Sequence, residues 1–209
     1  MVLEAYRHVA DAVLEPMARS LSGVSPNTLS ALAFVAAALA GVAFYIGGGL
    51  FLGFAFLFVL ANALLDALDG KVAKLTGRAS ARGDFLDHVL DRYADVLMLT
   101  GIALSAYCPV WLGLLAILGV LLTSYMGTQA QAVGLGRLYS GALGRADRLV
   151  ILGVVTLLQV TLDPTGTRSI GVGATGFSYL GWAMVLFAVL GNLTAMQRAA
   201  WTWRRLSAR

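Results

Sequence analysis

The sequence predicts an all-α polytopic membrane protein with six transmembrane helices and an N-terminal amphipathic interfacial helix. The first observation is composition: 59% of the 209 residues are hydrophobic and 12% are charged, whereas soluble domains carry about 25% charged residues. The second is a series of six apolar segments, each close to the roughly 20 residues that span a bilayer. The third is a strong asymmetry in the placement of positive charge.

The six apolar segments are the predicted transmembrane helices. Three glycines at 47–49 separate the first two, Pro109 separates the third from the fourth, and a Gly-rich loop over 163–176 precedes the last. The segments cover residues 27–47, 50–70, 88–107, 110–133, 147–162 and 177–196.

Positive charges lie almost entirely on one side of this arrangement. Only Arg168 lies on the other side, and Arg92 lies just inside the third helix. Because basic segments stay in the cytoplasm, both termini, the 71–87 loop and the 134–147 loop are predicted to be cytoplasmic. We therefore expect a multi-pass protein of the cell membrane, with residues 197–209 as a basic cytoplasmic tail.

Residues 2–20 differ from the apolar segments because hydrophobic side chains recur at helical spacing with charges between them. This pattern predicts an amphipathic helix on the cytoplasmic membrane surface, interrupted by Pro16. No hydrophilic stretch is long enough to form a separate soluble domain. Residues 1–209 are accordingly interpreted as one integral-membrane domain, with the six-helix bundle over 27–196.

Composition also excludes several classes of protein. The formal net charge is +4, but the basic residues adjoin apolar segments, which is typical of topology signals and of contacts with anionic lipid or phosphate. We therefore expect membrane lipids as partners and no nucleic acid. The single cysteine, Cys108, excludes an intrachain disulfide and a cysteine metal cluster. It is interpreted as a small apolar filler.

Four carboxylates, those of Asp66, Asp69, Asp87 and Asp91, are the most informative feature of the chain. Their i, i+3 and i, i+4 spacings place each pair on one helix face. Ionised carboxylates at membrane depth are costly unless they are paired or bound to metal. Ligand sets made only of oxygen suit Mg²⁺, Mn²⁺ or Ca²⁺ rather than zinc. The sequence therefore predicts a site for one or two divalent cations that is also an active site.

The residues around these carboxylates indicate phosphate chemistry. Gly70 and Gly83 lack a Cβ atom and would let a ligand approach the backbone closely. Divalent metals combined with basic side chains are the recurring arrangement in phosphoryl transfer. The basic residues of this segment are Lys71, Lys74, Arg78 and Arg82.

This segment resembles the signature of the CDP-alcohol phosphotransferase family, D-x-x-D-G-x-x-A-R, eight residues, then G-x-x-x-D-x-x-x-D. Every fixed position matches except one, where Lys74 stands in place of the family's arginine. Pro26-Asn27 also resembles the family's Pro-Asn element. Members transfer a phosphatidyl or similar group from a CDP-linked donor to an alcohol and release CMP. The resemblance covers most of the chain and also implies a homodimer.

The resemblance implies roles for individual residues. A pair of Mg²⁺ or Mn²⁺ ions would be held by Asp66, Asp69 and Asp87, and Asp91 would share that site and act as the catalytic base. Lysine offers phosphate a point charge instead of a bidentate fork, so we expect weaker or rearranged donor binding without loss of function. The CDP-binding residues would be Asp66, Asp69, Gly70, Ala73, Lys74, Arg78, Gly83 and Asn27.

A second set of polar residues predicts the acceptor site. Hydroxyls and amides at the cytoplasmic end of the fourth helix should point into the bundle rather than into lipid. The i, i+3 pair Arg145 and Arg148 begins the fifth helix and can hold an anionic headgroup, although topology anchoring would also explain it. The predicted acceptor residues are Ser124, Thr128, Gln131, Arg137, Arg145 and Arg148.

The sequence also favours a particular acceptor. The segment 91–95 resembles inositol phosphate synthases of this family, and the segments 129–136 and 144–148 are similar to the archaeal archaetidylinositol phosphate synthases. The resemblance implies inositol 1-phosphate as the phosphorylated alcohol acceptor and CDP-archaeol as the CDP-lipid donor. Glycerol 3-phosphate, serine and inositol stay open as acceptors, and CDP-diacylglycerol stays open as donor. A divalent-cation transporter is the competing class, but transport sites usually lie near the bilayer midplane.

Overall fold

In the computed structural model, the chain is described over residues 7–138, 140–141, 143–166, 170–172 and 175–207. Within these ranges it folds into helices and one short antiparallel β-hairpin. The elements are α1 (Arg7–Ser20), α2 (Pro26–Ile46), α3 (Gly48–Leu75), α4 (Ala81–Ala103), α5 (Val110–Ala132), α6 (Arg145–Leu162), β1 (Ile170–Val172), β2 (Thr175–Phe177) and α7 (Tyr179–Ser207).

The predicted all-α class is confirmed. Helices α2, α3, α5 and α7 are long and apolar enough to cross a membrane, which makes the chain a multi-pass membrane protein. Helices α4 and α6 are not among these four, because charged side chains interrupt α4 and because α6, the shorter helix, begins with three charged residues in its first turn. The count of six membrane spans therefore stays a prediction.

Several helix ends differ from the predicted segments. Helix α3 continues to Leu75 instead of ending at residue 70, and α4 begins at Ala81 instead of 88. Helix α7 continues to Ser207, so most of the predicted tail is helical. The difference arises because hydropathy marks the apolar part of a helix, whereas backbone hydrogen bonds continue through its polar ends.

Helix α1 falls within the predicted segment 2–20, of which residues 2–6 lie outside the described part of the chain. Its Ala18 is fully buried and packs in one cluster with Leu29 of α2 and with Leu68 and Val72 of α3. This contact joins α1 to the helix that carries Asp66 and Asp69. Its placement on the membrane surface stays a prediction.

The helices approach one another closely where glycines face neighbouring backbones. A Cβ atom on Gly191 of α7 would lie 2.8 Å from the carbonyl carbon of Gly119 on α5. Helices α2 and α4 meet in the same way at Gly41 and Gly101. Small residues allow this close approach. Tight packing of this kind stabilises helix association in a membrane, where the hydrophobic effect contributes little.

The end of the bundle opposite the aspartates is closed by hydrogen bonds from Tyr107. Its hydroxyl accepts from the Gly48 N–H at 2.7 Å and donates to the Pro164 carbonyl at 2.8 Å. The adjacent Cys108 is buried, and burial raises the pKa of its thiol to about 11. A thiol of that kind stays protonated, in accord with the interpretation of Cys108 as a filler.

Candidate active site

The four predicted aspartates come together at the polar ends of α3 and α4, both of which pack against α2. Asp66, Asp69 and Asp87 each offer a carboxylate oxygen, and these oxygens lie within 4.8 Å of one another. Asp91 lies one turn beyond Asp87, and together with His88 the two form a second group that meets the same distance limit. The spacing in the sequence therefore predicted the convergence correctly.

Local sequence fixes the two helices that carry these groups. The Ser80 side chain accepts a hydrogen bond from the Gly83 N–H at 3.1 Å and caps α4. On α3, the buried Asp69 accepts a 2.5 Å hydrogen bond from the Ser30 hydroxyl of α2. The carboxylate of Asp69 is thus held in place by a neighbouring helix, a contact that sequence periodicity does not reveal.

The donor set suits a hard divalent cation. Asp66, Asp69 and Asp87 supply only carboxylate oxygens, which Mg²⁺ and Mn²⁺ prefer over the nitrogen and sulfur ligands of zinc sites. Three acidic groups within this distance repel one another, and a bound cation would offset that repulsion. The residues present therefore fit the predicted metal site.

Arg145, one of the predicted acceptor residues, lies among the carboxylates of the predicted metal site. Its Nη1 is 2.5 Å from Asp66 Oδ2 and 2.7 Å from Asp91 Oδ1. The sequence predicted that this side chain would hold the acceptor's phosphate. In the structure it also bridges Asp66 of α3 and Asp91 of α4 from the first residue of α6, and its acceptor role stays a prediction.

On one side of the aspartates lies a cavity that we call the glycine cavity. Gly70 faces open space, because a Cβ atom placed there would meet no other atom within 4 Å. Asp66 is the one predicted CDP-binding residue that does not line it. The lining includes Asn27, Asp69, Gly70, Ala73, Lys74, Arg78 and Gly83, together with Asp87.

On the other side lies a second cavity, which we call the arginine cavity. Asp91 lies in its wall, and the volume of the cavity, about 230 Å³, leaves room for a small molecule. Of the predicted acceptor residues, Thr128 and Gln131 instead line an adjoining cavity between α4 and α5, and Arg137 lines both. The polar lining of the arginine cavity includes His88, Asp91, Arg92, Ser124, Arg137, Arg145, Arg148 and Arg198.

Three basic residues that line the arginine cavity, His88, Arg92 and Arg198, were not among the predicted site residues. His88 contacts Arg137, and Arg92 contacts the Ser124 hydroxyl. Arg198 of α7 donates from Nη1 to the Thr123 carbonyl at 2.6 Å. His88 adjoins Asp87 within the signature and could have been found there. Arg198 carried no such signal, since it was assigned to the basic tail.

Comparison with known proteins agrees with this geometry. Residues 23–190 match the family described as CDP-alcohol phosphatidyltransferase. The archaetidylinositol phosphate synthase of Pyrococcus horikoshii is 33% identical over 148 residues, which cover 70% of this chain and 77% of that protein. The enzyme of the same name from Methanothermobacter thermautotrophicus is 30% identical over 98% of this chain and 96% of its own length.

Solved structures show the same fold. The crystal structure of Mycobacterium tuberculosis phosphatidylinositol phosphate synthase with CDP-DAG bound superposes with a TM-score of 0.72 at 24% identity, covering 92% of this chain and 94% of that one. A second structure of that protein, with manganese and citrate, gives a TM-score of 0.71. The family match spans most of the chain and includes all four aspartates, so the chain belongs to the CDP-alcohol phosphatidyltransferase family of enzymes.

Proposed function

We propose that the protein transfers a lipid phosphate group from CDP-archaeol to inositol 1-phosphate and releases CMP. The observation that carries the proposal is that the clustered aspartates border two cavities: Asp69 and Asp87 line the glycine cavity, and Asp91 lines the arginine cavity. A nucleotide-linked donor fits the side where Gly70 leaves the backbone open. A phosphorylated acceptor fits the side lined by arginines, because guanidinium groups bind phosphate through paired hydrogen bonds.

Asp91 is proposed as the catalytic base because it lies in the wall of the arginine cavity and next to Asp87 on the same helix face. The proton of the acceptor hydroxyl passes to an Asp91 carboxylate oxygen. The hydroxyl oxygen then bonds to the phosphorus that carries the lipid, and the bond from that phosphorus to the CMP oxygen breaks. Bound Mg²⁺ or Mn²⁺, as two ions on Asp66, Asp69, Asp87 and Asp91, would neutralise charge on the pyrophosphate and on the leaving CMP.

The choice of inositol 1-phosphate over uncharged alcohols is supported by the charge of the acceptor side. Arg92, Arg137 and Arg198 line this cavity in addition to the two arginines of α6. Inositol is uncharged and serine has no net charge, so neither matches an excess of positive charge as a phosphorylated acceptor does, whereas glycerol 3-phosphate matches it too. Two archaetidylinositol phosphate synthases with substantial coverage of this chain favour the inositol headgroup and the archaeal lipid.

The proposed setting is the cell membrane, with six spans and the active site and both termini facing the cytoplasm. Hydrophobic side chains exposed on the bundle surface, among them Phe54, Leu114 and Val154, support lipid contact along α3, α5 and α6. We propose that α1 lies on the membrane surface, that residues 1–209 form one domain, and that two chains form a homodimer. Crosslinking in native membranes and protease accessibility of the termini test the dimer and the orientation.

The proposed reaction is tested by measuring CMP release from purified protein in nanodiscs. CDP-archaeol and CDP-diacylglycerol are each supplied with Mg²⁺ or Mn²⁺, and inositol 1-phosphate, glycerol 3-phosphate, serine and inositol are offered separately. CMP release with inositol 1-phosphate as the preferred acceptor is expected. Preference for glycerol 3-phosphate would replace the proposed acceptor, and no release from folded protein with any pair would contradict the proposal.

Two matched variants separate the site from the rest of the protein. Asp87→Asn removes one predicted metal ligand and is expected to abolish CMP release. Glu15→Gln makes the same change of charge on the exposed side chain that pairs with Arg19 on α1. It is expected to keep wild-type activity. Equal loss in both variants would show that charge removal disturbs the protein generally.

A further inference from the structure

A single nitrogen of Arg145 bridges two of the proposed metal ligands. Nη1 contacts both Asp66 and Asp91, at 2.5 and 2.7 Å, and the side chain is only 15% exposed. Arg145 is the first residue of α6 and follows the N-cap residue Gly144. The same residue lines the arginine cavity. Arg145 therefore borders both parts of the site.

The contacts of Arg145 with Asp66 and Asp91 are incompatible with a cation bound to the same oxygens. A guanidinium and a divalent ion would compete for Asp66 Oδ2 and Asp91 Oδ1 and would repel each other at this distance. A metal ion that takes these two oxygens must therefore displace the guanidinium.

The present position also leaves part of the guanidinium unused. The Arg145 Nε is buried without a hydrogen-bond partner among the described residues, and it lies 3.9 Å from Asp95 Oδ1. Arginine binds phosphate best when two nitrogens of its planar fork donate together. The adjacent cavity, which Arg145 already lines, is also lined by Arg137 and His88.

We propose that Arg145 exchanges places with the metal: it holds Asp66 and Asp91 in the metal-free protein and turns to the acceptor's phosphate when metal binds. This inference rests on the proposed function, because it assigns metal and phosphorylated acceptor to the two sides of Arg145. It makes Arg145 the residue that couples the two sites. Metal binding completes the acceptor site, and acceptor binding in turn strengthens metal binding by the same factor.

Metal binding in the absence of CDP-lipid tests the exchange directly. Free Mn²⁺ is titrated against the protein by electron paramagnetic resonance, for the wild type, Arg145→Gln and Arg78→Gln. Without its competing guanidinium, Arg145→Gln is expected to bind Mn²⁺ about tenfold more tightly. Arg78→Gln removes the same charge from an exposed side chain that lines the glycine cavity beside Asp69 and Asp87, and is expected to change the affinity much less. Equal or weaker Mn²⁺ binding by Arg145→Gln would overturn the proposal.

The reverse effect is measured as binding of radiolabelled inositol 1-phosphate with and without Mn²⁺. In the wild type, Mn²⁺ is expected to strengthen that binding about tenfold. In Arg145→Gln, Mn²⁺ can strengthen binding only by attracting the anionic acceptor directly. A smaller increase in the affinity for inositol 1-phosphate is therefore expected. This measurement on the wild type does not depend on whether a variant folds. If Mn²⁺ leaves the affinity for inositol 1-phosphate unchanged, the exchange is overturned. If the wild type releases no CMP, the proposed function is contradicted instead.

Discussion

Arg148 of α6 and Asp95 of α4 form a buried ion pair in which Nη2 lies 2.7 Å from Oδ2. The side chains are 7% and 5% exposed. Arg92 and Arg145 each approach the same carboxylate at 3.9 Å. Asp95 thus lies among three arginines beside the proposed acceptor site, and its negative charge reduces the repulsion between them.

Arg148→Ala is expected to destabilise the protein by about 3–5 kcal/mol, because it leaves the buried Asp95 carboxylate without its closest partner. Thermal unfolding in detergent measures the loss. Replacing both members, Arg148→Met with Asp95→Leu, is expected to restore much of the stability. If Arg148→Ala keeps the wild-type unfolding temperature and raises only the KM for the acceptor, the side chain serves binding, as the sequence predicted.

Asp91→Asn is expected to lower kcat by roughly 10²- to 10⁴-fold, because the amide cannot take the proton of the acceptor hydroxyl. Binding of CDP-lipid is expected to persist, since Asp91 does not line the glycine cavity. Steady-state CMP release and donor binding by microscale thermophoresis give the two quantities. A wild-type kcat in this variant would remove the assignment of Asp91 as base.

Gly191→Ala is expected to destabilise the bundle by about 1–3 kcal/mol, because the new methyl group would press on the backbone of Gly119 where α5 crosses α7. Gly153→Ala on α6 is the matched control. A Cβ at that position would meet no atom within 4 Å, and alanine favours a helix over glycine by about 1 kcal/mol. Unfolding temperatures that change equally in both variants would argue against close packing at Gly191.

Features that depend on local spacing were predicted well from the sequence. The four aspartates follow helical periodicity within two successive helices, so each pair could be placed on one helix face. Their convergence also depends on α2, against which both α3 and α4 pack. The lining of the glycine cavity comes largely from the same segment, with Asn27 added from α2. The family signature lies in this region and was confirmed by the match over residues 23–190.

Features that depend on packing between distant helices could not be predicted in this way. Arg145 reaches Asp66 across almost eighty positions in the chain, and nothing in the sequence around it indicates that partner. The role of Arg198 in fixing the Thr123 carbonyl likewise depends on how α7 lies against α5. Charge segregation placed these arginines on the correct side of the bundle without specifying which carboxylate or carbonyl each one contacts.

The departure of Lys74 from the family signature gives the last prediction. Lys74 is exposed and lines the glycine cavity on the last turn of α3. Lys74→Arg is expected to lower the KM for CDP-lipid about three- to tenfold, because the guanidinium can make two parallel hydrogen bonds to phosphate where the ammonium acts as a point charge. The kcat is expected to change little, since the four aspartates are untouched.

Lys71→Arg is the control for this prediction, because it makes the same substitution one turn earlier on α3 at a residue that does not line the glycine cavity. CMP release is measured over a range of CDP-archaeol concentrations at saturating acceptor. A lower donor KM in Lys74→Arg but not in Lys71→Arg would place residue 74 against the donor phosphates. An unchanged or higher KM in Lys74→Arg would mean that this cavity binds its donor through Asn27, Arg78 and the backbone at Gly70, and that lysine is already the better fit.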